Sequence, residues 1–189
     1  MSALVISSIE RGGLGDVLAA RHAKDFNALA ASKKRLEAAD LLLLGALADL
    51  VRKDEVGNDV RIYANVEAER SDALVFGETE RGLPLLRAIA VARITGPLHA
   101  RIRILYGGDA VGLEIVQIAL GFGASELEGR IANKRGLPIA DDATKKLKGQ
   151  GMVAVQALAK KELAGLLRRQ GREPVFMESK VATTSEARP

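Results

Sequence analysis

The stretch HARIRILYGGDAVGLEIVQIALGF, residues 99–122, decides the fold because its hydrophobic period changes within it. In residues 99–106, Ile102 and Ile104 alternate with Arg101 and Arg103. A period of two is typical of a β-strand with an apolar face and a face in water. We therefore predict a strand over His99 to Tyr106.

The second half of the stretch has the period of a helix. Gly107-Gly108 predicts a turn, and Asp109 is a good residue to cap a helix N-terminus. The apolar residues that follow share one predicted helical face: Val111, Ile115, Ile118, Ala119 and Phe122. A strand, a tight turn and an amphipathic helix in succession form one β-α unit.

The rest of the chain repeats this alternation of helices and short strands. Apolar patterning and turn residues predict helices over 17–31, 36–52, 84–94 and 152–170, and extended segments over 60–66, 74–76, 124–131 and 174–176. This order predicts an α/β fold with a small, mostly parallel sheet flanked by helices. We expect one domain over residues 1–178 and a disordered polar tail over 179–189.

Composition excludes several classes of protein. Hydrophobic residues make up 48% of the 189 residues and aromatic residues only 3%, so the core should be aliphatic. The 28 basic residues are scattered among 24 acidic ones, and few aromatic side chains could stack on bases, which argues against nucleic-acid binding. No apolar run approaches the length of a membrane span, and no signal peptide is apparent, so we expect a cytoplasmic protein.

Metal chemistry has few possible ligands in this sequence. The chain contains two histidines and no cysteine, and neither His22 nor His99 lies in a metal-binding motif. We therefore expect no metal site and no cofactor, and a cysteine-ligated iron–sulfur cluster is impossible.

Two segments offer candidate ligand-binding residues. Gly107, Gly108 and Asp109 join a strand to a helix, the place where parallel α/β folds bind ligands, although a tight turn and helix cap explain them equally. Glu126, Glu128 and Arg130 would share one face of a strand, either as acid–base groups or as a solvated edge. Gly12 to Asp16 is better explained as the entry to a helix capped by Asp16 than as a phosphate loop.

Several blocks of the chain resemble one enzyme family. They are Asp40 to Asp49 with Val60 to Asn65, Leu86 to Arg93, Pro97-Leu98-His99, Gln117 to Ala124, and Gln170 to Val175. Together and in this order they resemble the radical S-adenosylmethionine enzymes of the aminofutalosine synthase, dehypoxanthine futalosine cyclase and FO synthase group. The resemblance extends from about residue 36 to residue 178, and His99 falls where the family also has a histidine.

The departures from this family are as informative as the resemblance. Val66 to Asp72 stands where the family has the three cysteines that bind a 4Fe–4S cluster, and a whole (β/α)₈ barrel typically needs about 250 residues. Gly123 to Arg130 stands near the family's acidic GADDLDGT motif, with two glutamates in place of aspartates and Arg130 in place of a hydroxyl residue.

The resemblance implies a shortened, non-catalytic relative with a reduced or partial TIM-barrel-like fold. Such a fold would expose sheet edges and an apolar inner face, so it should pair with a second copy of itself or with a catalytic relative, in menaquinone synthesis. The alternative is a small enzyme or a protein that binds a nucleoside or an S-adenosylmethionine-like ligand. In that case the remaining pocket would present His99, Asp109, Glu126 and Glu128.

Overall fold

A computed structural model describes residues 3–64, 72–107, 111–131 and 159–177. Its helices are α1 (Ala3–Arg11), α2 (Gly15–Ala23), α3 (Phe26–Ala31), α4 (Lys33–Ala38), α5 (Leu41–Val56), α6 (Gly82–Thr95), α7 (Leu113–Leu120) and α8 (Lys160–Arg169). Its strands are β1 (Asp59–Ala64), β2 (Ala73–Phe76), β3 (Arg101–Tyr106), β4 (Glu126–Gly129) and β5 (Glu173–Phe176).

The strands form one open sheet in the order β2-β3-β4-β1-β5, and every pairing is parallel. The predicted α/β class with a helix-flanked parallel sheet is thus confirmed. Among the described residues β2 and β5 are the two edges and do not pair with each other, so closure into a barrel is not seen. The expected tail over 179–189 and the predicted helical segment before Ala159 lie outside the described residues.

One face of the sheet is apolar and is covered by helices. The chain moves across the sheet in one direction as it passes from β2 through β3 and β4 to β5. Because the connections between parallel strands are right-handed, the connecting helices α6, α7 and α8 lie on the same face. A row of apolar side chains crosses this face in register: Phe76, Ile104, Leu127, Ile62 and Phe176. These residues pack in one core with side chains from all eight described helices, and the core is largely aliphatic, as predicted.

Capping residues and a left-handed turn break the N-terminal region into more helices than its hydrophobic pattern predicts. Lys24 adopts a left-handed conformation (φ 58°) that ends α2, and the carboxylate of Asp25 accepts the amide of Ala28 to start α3. Asp40 likewise caps α5 by accepting the amides of Leu42 and Leu43. The predicted helices over 17–31 and 36–52 are therefore each two helices.

Other details of the predicted elements need correction. Ala3–Arg11 is a helix that the sequence analysis did not predict, and Asp16 lies inside the first turn of α2, where it pairs with Arg35 instead of capping the helix. On α7 the buried side chains are Val116, Ala119 and Leu120, whereas Ile118 is exposed. The helix begins only at Leu113. The rest of the predicted apolar set lies in the core, because Val111, Ala119 and Phe122 are buried and Ile115 packs against them.

Candidate ligand-binding site

The face of the sheet opposite the helices is charged. The row adjacent to the apolar one carries Val75, Arg103, Glu126, Arg61 and Val175, in register across all five strands. The expectation of an apolar inner face is therefore wrong. The sequence explains this directly, because the residues that alternate with the core isoleucines of β1 and β3 are arginines.

A buried ion-pair network lies at the centre of this charged face. Glu126 Oε2 accepts hydrogen bonds from Arg103 Nε at 2.9 Å and Nη2 at 2.7 Å, and Arg103 Nη1 donates to Glu128 at 3.1 Å. Arg103 is 0% exposed and its guanidinium lies 4.2 Å from the centroid of the Tyr63 ring. The predicted wet face of β3 is consequently wrong at Arg103, which is neutralised by carboxylates and an aromatic face instead of by water.

Arg101 joins the network from its accessible side. Its Nε donates to Glu126 Oε1 at 2.7 Å and its Nη2 donates to the hydroxyl of Tyr63 at 2.7 Å. Burial by itself would raise the pKa of Glu126, but hydrogen bonds from Arg101 and Arg103 outweigh it and hold that pKa below its ordinary value. Glu126 is thus an anion that two guanidinium groups already balance.

A second carboxylate, that of Glu55 at the end of α5, is held in the same way. Both of its oxygens accept from Arg21, at 2.7 and 2.9 Å. Arg21 also donates to the carbonyls of Ile94, Gly96 and Pro97, which caps the carboxyl end of α6. Glu55 therefore ties α2 to the loop that precedes β3.

His99 is fixed by Glu55 and does not begin a strand as predicted. It adopts a left-handed conformation (φ 56°), its amide donates to Glu55 Oε2 at 3.1 Å, and its Nδ1 lies 2.7 Å from the carbonyl oxygen of Glu55. Because a carbonyl oxygen only accepts, this hydrogen bond requires a proton on Nδ1. Strand β3 begins two residues later, at Arg101.

Behind these groups, Arg93 is completely buried. It donates from Nε to the carbonyl of Gly123 at 2.9 Å and from Nη2 to Ser125 Oγ at 3.2 Å, and its Nη1 lies 4.0 Å from Glu55 Oε2. Burial lowers the pKa of Arg93 to about 10, so the guanidinium is charged at neutral pH.

A pocket of about 390 Å³ opens between the two held carboxylates. It lies at the amino end of the parallel strands, and its lining comes from the end of α5 and the starts of β1, β3 and β4: Glu55, Val56, Asp59, Arg61, His99, Ala100, Arg101, Ser125 and Glu126, with Val175 from β5. Its volume is within the range of small-molecule sites.

The structure brings together only part of the predicted site. His99 and Glu126 line the pocket, and Glu128 is linked to Glu126 through Arg103, so the two glutamates do share one face. Gly107 (φ 81°) ends β3 and Arg130 follows β4, which places both at the carboxyl end of the sheet, away from this pocket. Gly108 and Asp109 lie outside the described residues.

Sequence reasoning missed the arginines. Arg61 and Arg101 line the pocket and Arg103 supports it, whereas the alternation of apolar and basic residues in β3 predicts only a face in contact with water. The sequence does contain a signal. Two arginines lie two residues apart on β3, and two glutamates lie two residues apart on β4. Only the strand order shows that these two strands are neighbours.

The described part of the chain gives two negative findings. It contains no group of three or more His, Cys, Asp or Glu side chains that could hold a metal ion. None of its helices combines the length and the apolar character needed to cross a membrane.

Comparisons with protein-family models, with curated proteins and with solved structures give no match.

Proposed function

We propose that this chain is a non-catalytic relative of the radical S-adenosylmethionine enzymes that acts as a binding partner of another protein chain. Without cysteine it cannot hold the cluster on which that chemistry depends. In a closed (β/α)₈ barrel the last strand is next to the first. The parallel pairing of β1, the first described strand, with β5, the last one, agrees with a barrel that keeps its first and last strands.

The observation that carries the proposal is the open edge at β2. This strand reads Ala-Leu-Val-Phe, contains no charge and no proline, and pairs only with β3 among the described residues. Natural sheets protect their edges with charges, prolines or cover, and an uncharged edge offers backbone groups to a further strand.

The opposite edge provides an internal comparison. Strand β5 contains Pro174, which lacks an amide hydrogen, and Glu173, which is paired with Arg168 at 2.8 Å. These are features that discourage strand addition. One edge of the sheet is thus protected and the other is open.

The surface beside β2 extends the potential interface. Leu74 is 42% exposed and Leu83, at the start of α6, is 65% exposed. A groove of about 440 Å³ continues from Phe76 along α6 and includes Pro84, Arg87 and Val91. A four-residue strand alone buries too little surface for a stable complex, so this adjoining groove would have to contribute.

The first partner to test is a second copy of the chain. Two β2 strands related by a two-fold axis would pair antiparallel with no like charges opposed. The catalytic relative implied by the resemblance is the other candidate, and sedimentation separates the two.

The experiment is sedimentation velocity of the full chain at micromolar concentration. We expect a dimer that Leu74→Lys converts to monomer, because a charged edge disfavours strand pairing. Ile118→Lys changes an exposed apolar residue on α7 and should leave the dimer intact. A monomeric wild type that also fails to bind a cysteine-bearing relative would overturn the proposal.

A further inference from the structure

We propose that the pocket at the amino end of the sheet binds a small zwitterion, a free α-amino acid with an apolar side chain. The inference is independent of the proposed pairing at β2, because the pocket lies across β3, β4 and β1 and no residue of β2 lines it.

Most charged side chains of the pocket already form ion pairs with other side chains of the protein. Glu126 is bound by Arg101 and Arg103, and Glu55 is bound through both oxygens by Arg21. Each of these carboxylates is neutralised and is buried or nearly so. They shape the pocket without leaving a charge for a ligand.

Two groups of opposite charge stay accessible to a ligand. The side chain of Arg61 is 54% exposed, and it forms an ion pair with Glu126, whose Oε1 lies 3.6 Å from Nη1, but no hydrogen bond. Asp59 is exposed and no described residue forms an ion pair or a side-chain hydrogen bond with it. The two residues are two apart on β1, so they project from the same face of the strand into one pocket.

A guanidinium and a carboxylate so placed match the two ends of an α-amino acid. Arg61 would bind the ligand carboxylate, assisted by Arg101 Nη1, which donates no hydrogen bond within the described residues. Asp59 would accept from the ligand ammonium. Because the accessible lining offers one group of each charge, a zwitterion can pair with both of them, whereas a simple anion or cation can pair with only one.

The remaining lining indicates the side chain of the ligand. Val56, Ala100 and Val175 supply apolar surface beside the charged groups. A branched aliphatic side chain would be stabilised by burying its apolar surface against these three residues. The pocket volume of about 390 Å³ accommodates an amino acid of this size.

The test compares three matched probes by NMR titration of the arginine Nε–Hε signals. The probes are L-leucine, 4-methylpentanoate, which lacks the ammonium, and 3-methylbutylamine, which lacks the carboxylate. Ionic strength is held constant with sodium chloride. We expect saturable shifts with L-leucine and an affinity at least about tenfold higher than for either probe with a single charge.

Variants assign the two ends of the ligand. Arg61→Gln should weaken L-leucine binding about tenfold or more, and Asp59→Asn should reduce it to the level of 4-methylpentanoate. Arg61→Lys, which keeps the charge but not the planar fork, should give an intermediate affinity. Arg169→Gln, an exposed arginine on α8 outside the pocket, is the control and should change nothing.

Three results would overturn the inference: no saturable shift with L-leucine, equal affinity for 4-methylpentanoate, or unchanged affinity in both Arg61→Gln and Asp59→Asn. Because Arg61 and Asp59 are exposed, these variants should fold, which circular dichroism checks. Failure here leaves the dimer test at β2 unaffected, so the two proposals stand or fall separately.

Discussion

Arg103 on β3 and Glu126 on β4 lie opposite each other in the sheet and form an ion pair, with 2.7 Å between Arg103 Nη2 and Glu126 Oε2. The Arg103 side chain is 0% exposed and that of Glu126 is 2% exposed. Because both side chains are almost completely buried, each charge is compensated mainly by its neighbours on the sheet. The charged face therefore depends on this pair remaining intact.

Replacing one partner should be costly. Glu126→Gln leaves the buried Arg103 with the carboxylate of Glu128 alone, and we expect a loss of about 3 kcal/mol in the free energy of unfolding measured in urea. The control is Glu173→Gln, which removes the carboxylate of the exposed Arg168–Glu173 pair and should produce no measurable loss. Equal effects of the two substitutions would contradict the role assigned to Glu126.

The same pair should make stability depend on pH. The pKa of Glu126 is lowered in the folded chain, so its stabilising contribution is complete above the unfolded-state pKa, about 4.3, and is lost as the pH falls through the folded-state value. The difference in unfolding free energy between wild type and Glu126→Gln should be constant near neutral pH and shrink in acid. Urea titrations over this range measure it, and a difference that persists undiminished in strong acid would refute the assignment.

Two tyrosines on β1 and β3 should respond oppositely to loss of the hydroxyl. The Tyr106 hydroxyl is buried without a hydrogen-bond partner in the described residues, and burial raises its pKa to about 12. Tyr106→Phe should therefore be neutral or stabilise the fold by about 1 kcal/mol. Tyr63→Phe removes the acceptor of Arg101 and should destabilise by about 1 kcal/mol. Thermal unfolding of both variants checks the opposite signs.

Two helical glycines provide a packing test. A Cβ on Gly45 in α5 would lie 2.8 Å from the ring of Phe122, so Gly45→Ala should destabilise by about 1–3 kcal/mol through overpacking. On Gly165 in α8 the nearest atom to a Cβ is Arg169 Nη1 at 3.7 Å, so Gly165→Ala should stabilise by about 0.5–1 kcal/mol. Chemical denaturation distinguishes them, and a stabilising Gly45→Ala would show that α5 and Phe122 are not in close contact.

Much of the fold could be predicted because its signals are local. The period of two at Ile102 and Ile104 predicts β3, and the apolar residues from Leu85 to Ile94 predict α6, in agreement with the observed elements. Helix breaks were harder to predict. The left-handed turn at Lys24 depends on one residue in a sequence that is otherwise rich in helix-forming residues.

The candidate site could be predicted only in part. Glu126, Glu128 and His99 were identified from their own segments, but their partners come from elsewhere in the chain. Arg103 meets Glu126 across β3 and β4, and His99 meets Glu55 at the end of α5, 44 residues earlier. Contacts of this kind depend on strand order and crossover direction, which no local pattern specifies.

The sequence by itself determined the α/β class, the aliphatic core and the impossibility of a cysteine-ligated cluster, because each follows from composition or from a short-range period. Tertiary structure alone decided that Arg103 of β3 is buried against Glu126 of β4 and that Asp59 and Arg61 share a pocket with His99. The physical reason is that a buried charge requires an opposite charge within a few ångströms, and strand order determines which residues come that close.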